Sequence, residues 1–176
     1  ASNSLLECLV FGAQLTNLNP QPSPNLHSQT RESQNLENLP DIEADILWLK
    51  QHRTAIGQLL WKSAGISRTA SEMDSALAQL ARWQTAFDAL SLTSVMNNLK
   101  NRISYQLPAQ VKVEILRQWT ETQNLLAVSQ LVLKSALFRT ESRGGHYRQD
   151  YPITESSWQM HTLIENNILE KSPLLP

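Results

Sequence analysis

Cysteine is nearly missing from this 176-residue chain; Cys8 stands alone, so no internal disulfide can form. That usage fits a reducing, cytoplasmic compartment. Its neighbours Leu6, Glu7, Leu9 and Val10 supply no positive charge or imidazole to activate a thiol, so Cys8 reads as a buried structural residue. An excess of charge is missing as well. The formal net of −1 lacks the basic surplus of a nucleic-acid binder. No apolar run approaches the roughly 20 residues that cross a bilayer, and no charged stretch leads into an apolar one as in a signal peptide. There is no glycine-rich phosphate loop and no Ser-His-Asp arrangement. His27, His52, His146 and His161 are scattered, without the grouping a zinc site needs. No metal site and no catalytic residue is therefore expected in this chain.

What is present is helical periodicity. Residues 1–16 carry Leu5, Leu6, Leu9, Val10 and Ala13 at helical steps. Such a helix is too short to stand alone and must pack on something else. The chain opens at Ala1, without Met and inside this amphipathic segment, and so reads as starting within a longer protein. Residues 17–40, with Pro20, Pro22, Pro24 and Pro40 among Asn, Gln and Ser, read as a linker that cannot bury enough apolar surface to order itself.

A first long helix is expected over 41–64. Asp41 caps it, Ile42, Ile46, Leu49, Ile56 and Leu60 face inward, Trp48 and Trp61 flank the stripe, and Gly65 stops it in a left-handed conformation. A second spans 69–91, opened by the capping-box pair Thr69 and Glu72, with Met73, Leu77, Leu80 and Phe87 inward and Trp83 at the border. Residues 92–110 are ambiguous; Val95, Met96, Leu99 and Ile103 suit a short helix that Pro108 ends. A third long helix spans 111–140 with Ile115, Leu116, Trp119, Leu126, Leu133 and Leu137 inward. Strand-like alternation is absent. The predicted fold is all-α: an antiparallel three-helix bundle over 41–152, with a short N-terminal helix and an irregular tail, 153–176, packing on it.

Two segments exceed what a bundle needs. Ala1-Ser2-Asn3-Ser4 precedes an apolar helix and reads either as an N-cap cluster or as an anion or carbonyl site at a helix N-terminus. Arg139, Arg143, His146 and Arg148 crowd a bend at Gly144-Gly145. Either Gly144 terminates the third helix and the cations favour its negative end, or the cluster docks on another domain.

Together these segments resemble one family. Ala1-Ser2-Asn3-Ser4-Leu5-Leu6-Glu7-Cys8-Leu9-Val10-Phe11-Gly12 is similar to the flavin-contacting helix of L-aspartate oxidases, relatives of the flavoprotein subunits of succinate dehydrogenase and fumarate reductase. Leu60-Trp61, Ala64-Gly65-Ile66 and Arg68 resemble the end of the first helix in the family's C-terminal bundle. Asn124-Leu125-Leu126, Ala136 and the run from Arg139 to Pro152 resemble its third helix and the arginine-rich turn after it. The dehydrogenase subunits more often carry Gly-Ala-Asn-Ser-Leu-Leu-Asp at the first motif, so Ala1-Ser2 and Glu7-Cys8 favour the oxidase. The turn reads Gly144-Gly145 where relatives often have Gly-Ala.

The resemblance implies an FAD enzyme that oxidises L-aspartate to iminoaspartate for NAD synthesis, with O2 or fumarate reoxidising the flavin. It places Ser4 and Leu5 against FAD. The family's substrate-binding arginine lies just before the position matched by Ala1, and its dinucleotide-binding and capping domains are not in this sequence. The chain is accordingly expected to be an inactive C-terminal piece, with Arg143, His146 and Arg148 docking it on the flavin-binding domain of the same polypeptide. The rival readings are a piece of a succinate dehydrogenase or fumarate reductase flavoprotein, and a free-standing helical interaction module.

Overall fold

The computed structural model describes residues 33–35, 42–100, 104–106 and 111–173. The expected helix over 1–16, Cys8, the Asp41 cap and the Pro108 stop lie outside the described residues. Among the described residues four α-helices follow one another: α1 (Ile42–Ala64), α2 (Ala70–Asp88), α3 (Ser91–Lys100) and α4 (Val113–Phe138).

α4 buries Trp119, Thr122, Leu126, Ser129, Leu133 and Ala136, at alternating steps of three and four that keep one stripe inward. Leu49 and Ile56 of α1, and Met73, Ala76, Leu80 and Phe87 of α2, meet that stripe in one core. Trp48, Phe87 and Trp119 fill its lower end, Phe87 stacked on Trp119 at 5.3 Å between ring centres. Trp61 does not flank the core as expected. It is 74% exposed, because the inward stripe of α1 passes through Leu59, Leu60 and Ser63 instead.

Two side-chain bonds and one backbone bond, from the Gln149 N–H, fix the directions of the helices. Asp45, near the start of α1, accepts from the Leu92 N–H beyond the end of α2, at 2.7 Å. Trp119, near the start of α4, donates to the Thr93 hydroxyl at 2.8 Å. At the other end, Gln149, beyond α4, donates to the Arg68 carbonyl beyond α1 at 2.9 Å. α1 and α4 thus run together and α2 runs against both. This is the expected antiparallel bundle.

Two helix ends differ from expectation. α2 stops at Asp88, three residues early, and α3 starts at Ser91. No glycine or proline marks the break. The Phe87 carbonyl accepts from the Thr93 hydroxyl at 2.6 Å, while Leu92 N–H turns to Asp45; both bonds bind α3 elsewhere. At the end of α1, Gly65 is not left-handed. Glycine is needed there because a Cβ would run into the Trp61 carbonyl oxygen. Arg68 Nε takes the Ala64 and Gly65 carbonyls at 3.0 and 3.1 Å, so a side chain caps the helix.

Thr69 caps α2 as expected, its oxygen accepting the Glu72 N–H at 3.3 Å. The Glu72 carboxylate accepts from the same hydroxyl, at 3.0 Å, rather than from a backbone N–H.

The tail is not irregular. Strands β3 (Met160–Glu165) and β4 (Ile168–Pro173) form an antiparallel hairpin in which Glu165 pairs with Ile168. Asn166 and Asn167, at φ 49° and 65°, make the two-residue turn with both central residues left-handed that matches strand twist. Within the expected linker, Ser33–Asn35 (β1) pairs in parallel with Ser104–Gln106 (β2).

Candidate functional site

α4 ends at Phe138, six residues before Gly144, so Gly144 does not terminate it. Gly144 instead turns the chain between Arg143 and His146, whose backbones exchange bonds of 2.8 and 3.0 Å. Its φ of +55° suits a residue without Cβ. This turn folds back on the end of the bundle and carries two buried charges.

The first is Glu141, which has no exposed surface. Its carboxylate accepts from Arg139 Nε at 2.9 Å, from Arg143 Nε and Nη2 at 3.0 and 3.1 Å, and from the Glu155 N–H at 3.0 Å. Burial is the largest single influence and raises its pKa. The bonds from Arg143, Glu155 and Arg139 together outweigh it and bring the group down to about 2.

The second is Arg148, 1% exposed. Its Nη1 donates to the Ala136 and Leu137 carbonyls at 2.9 and 3.0 Å, two acceptors that the end of α4 leaves unpaired. Its Nε and Nη2 clasp both Asp150 oxygens at 2.7 Å. Asp150 Oδ2 accepts in turn from the Ala70 N–H at 2.9 Å, in the first turn of α2. One ion pair therefore sets a cation at the C-terminus of α4 and an anion at the N-terminus of α2, the sign each helix dipole favours. The bond from Arg148 is the largest cause that holds Asp150 down at about 2.

His146 completes the cluster. Its Nε2 lies 3.1 Å from the Arg139 carbonyl and its Nδ1 2.9 Å from Arg68 Nη1. A carbonyl only accepts and a guanidinium only donates, so Nε2 carries the hydrogen and the ring is neutral. Burial lowers its pKa, and the charges of Arg68, Arg148 and Arg139 lower it further.

The structure thus gathers Arg143, His146 and Arg148, and their polar groups bond within the chain. Arg148 lies inside, its guanidinium over the Tyr151 ring; Arg143 keeps 38% of its side chain exposed. Reading the sequence for cations missed the roles of Glu141, Asp150 and Arg68. The available signal was charge alternation at two-residue steps, Arg139-Glu141-Arg143 and then Arg148-Asp150. Ser4 and Leu5, expected at the flavin, lie outside the described residues.

Gly57, Gly144 and Gly145 face open space, where an added Cβ would meet nothing. Among the described residues no three His, Cys, Asp or Glu side chains converge as metal ligands, and no helix is long and apolar enough to cross a membrane.

Comparison with known proteins bears on this turn and on the bundle. The family model for the fumarate reductase flavoprotein C-terminus matches residues 53–174. The L-aspartate oxidase of Synechocystis sp. (strain ATCC 27184 / PCC 6803 / Kazusa) is 42% identical over 165 residues, which are 94% of this chain and 30% of that protein. The L-aspartate oxidase of Nostoc sp. (strain PCC 7120 / SAG 25.82 / UTEX 2576) is 40% identical over 181 residues, 99% of this chain and 31% of that protein. The chain therefore spans about a third of the length of these relatives. Among solved structures, Mycobacterium smegmatis Sdh1 in complex with UQ1 has the same fold over 97% of this chain and 24% of its own, with a TM-score of 0.55 and 21% identity.

Proposed function

The chain belongs to the fumarate reductase flavoprotein C-terminal family, and from that premise we propose that it is the C-terminal part of an FAD-dependent L-aspartate oxidase. The reaction proposed for the whole enzyme is oxidation of L-aspartate to iminoaspartate, the step that feeds NAD synthesis, with O2 or fumarate as acceptor. The observation that carries the reading is 40–42% identity to two L-aspartate oxidases along nearly the whole chain. The proposed setting is the cytoplasm. When bound, FAD would take up the electrons from substrate. Ser4 and Leu5 are the residues proposed to touch it.

The geometry supports a division of labour. Among the described residues the charged groups of the turn pair with one another and with the ends of α1, α2 and α4. Residues 41–152 are proposed to be a docking bundle that shapes and braces the flavin-binding domain of the same polypeptide. Residues 1–16 are proposed to belong to that flavin domain, 17–40 to link the two, and 153–176 to pack on the bundle. The docking proposed for Arg143, His146 and Arg148 takes a narrower form. Arg148 fixes the turn from inside, while Arg143 and His146 form its outer edge.

The test is to produce the whole open reading frame that contains this chain, and the 176-residue chain by itself, and to assay both with L-aspartate and with succinate. The intact protein is expected to bleach its flavin on L-aspartate. The chain alone, given FAD, is expected to form no iminoaspartate. Bleaching by succinate and not by L-aspartate would move the protein to the dehydrogenase branch.

A further inference from the structure

Arg68 lies where three helix ends meet. Its Nε takes the Ala64 and Gly65 carbonyls at the end of α1, and its own carbonyl accepts from the Gln149 N–H. The next residue, Thr69, caps α2. A backbone bridge pairs Arg68 with Arg148, whose guanidinium holds the end of α4. The outer end of the Arg68 side chain rests on His146, whose Nδ1 accepts from Nη1 at 2.9 Å. The bond at Nη1 and the two at Nε belong to one planar group, so the first cannot be given up without disturbing the others.

The bond between Arg68 and His146 runs in one direction only. The guanidinium donates and has nothing to accept with, so Nδ1 must bring the lone pair. Nε2 brings the hydrogen, because the Arg139 carbonyl 3.1 Å away only accepts. A proton added at Nδ1 turns the acceptor into a second donor and sets two positive charges in contact. Rotating the ring brings no relief, since both nitrogens of an imidazolium donate. The charged groups that face the ring are Arg68 from the loop after α1, Arg139 from the end of α4 and Arg148 from the turn itself. The carboxylates of the cluster are engaged with these and with Arg143: Glu141 with Arg139 and Arg143, Asp150 with Arg148.

We infer that His146 is a proton-operated latch on the end of α1. With the ring neutral, Arg68 is held against the last turn of α1, and the loop to α2 is tied to the arginine turn. A proton from solvent that settles on Nδ1 expels the Arg68 guanidinium. The planar fork then takes Nε off the Ala64 and Gly65 carbonyls, which lose their cap. The backbone bond from Gln149 to Arg68 loosens with it. Leu49, Ile56, Leu80 and Leu126, which pack the core, carry no charge, so the release is confined to this end. The latch opens on the acid side of neutrality and leaves the rest of the bundle folded.

Amide hydrogen exchange tests the inference. The intact polypeptide that contains this chain is exchanged between about pH 8 and pH 5, with exposure times scaled to the intrinsic rate at each pH, and read by peptide mass spectrometry. Peptides covering residues 61–69 and 143–150 should lose protection about tenfold or more as pH falls through the step. Peptides from the middle of α2 and α4 should not change. His146→Gln supplies one donor and one acceptor without a charge, so it should keep the protection and abolish the step. Arg68→Gln removes the charge that faces the ring and should abolish the step too, at lower protection; it decides the matter if His146→Gln does not fold. No step in the unaltered protein, a step of the same size in the variant that folds, or a step shared by all the helices overturns the inference.

Discussion

Gly144 and Gly145 are adjacent and differ in what they tolerate. Gly144 holds φ +55°, so Gly144→Ala should lower stability by about 1 kcal/mol. Gly145 has an ordinary φ and open space around a would-be Cβ, so Gly145→Ala should leave the melting temperature unchanged or slightly higher. The ionisable residues predict the pH profile. Glu141 and Asp150 are held at about 2 in the fold, below the ordinary carboxylate values of 4.5 and 3.8. Their stabilisation is present above those ordinary values and is lost as pH falls from there towards 2. His146 is a base with a lowered pKa; its neutral form's contribution is present above 6.5 and is lost as pH falls from 6.5 through the lowered value. Melting temperature should therefore fall in two arms, one starting near pH 6.5 and one below about 4.5. His146→Gln should flatten the first arm and Glu141→Gln the second; an unchanged profile in either variant would remove that residue from the account.

Helix ends carry the next set of expectations. Arg148 and Asp150 tie the end of α4 to the start of α2, and Arg148 is almost fully buried. Arg148→Ala strands Asp150 and two helix carbonyls and should cost about 3–5 kcal/mol in chemical unfolding of the chain. Arg143→Ala leaves Glu141 still paired with Arg139 and the Glu155 N–H, and Arg143 is partly solvated, so the cost should be much smaller than that of Arg148→Ala. Equal losses would contradict the division between an inner brace and an outer edge. The hairpin hangs on Trp158, which is 6% exposed, packs edge-on against Phe138, and has Lys171 Nζ 3.6 Å from its ring centre. Trp158→Ala should free β3 and β4, read as faster amide exchange from Thr162 to Lys171, while α1, α2 and α4 stay protected.

For the molecule as a whole, the three long helices were legible because their apolar residues recur at helical steps, and Leu49, Ile56, Met73, Leu80, Phe87, Trp119, Leu126 and Leu133 are buried as that pattern predicts. The arginine turn was legible as a cluster, from its density of cations. Its internal pairing was not, because Asp150 meets Ala70 and Arg68 meets His146 only across the fold. Trp61 misled: helical spacing placed it beside the core stripe, and the rotation of α1 in the bundle put it outside. The hairpin was missed because only the Asn166-Asn167 pair announces it, between strands with weak alternation. Because the bundle's core closes on itself, the isolated 176-residue chain should show helical circular dichroism and one cooperative melt; a broad, non-cooperative melt would mean that the core needs another domain.

The sequence alone determined the helical class, the number of long helices and the place of the charged turn, since periodicity and charge density are local properties of the chain. Tertiary structure decided where α2 stops, which cation is buried, and which one caps α1. Each of those depends on a partner tens of residues away: Asp45 for Leu92, Asp150 for Ala70, His146 for Arg68. A bond of that kind has no spacing signature, so it becomes visible only when the helices are packed.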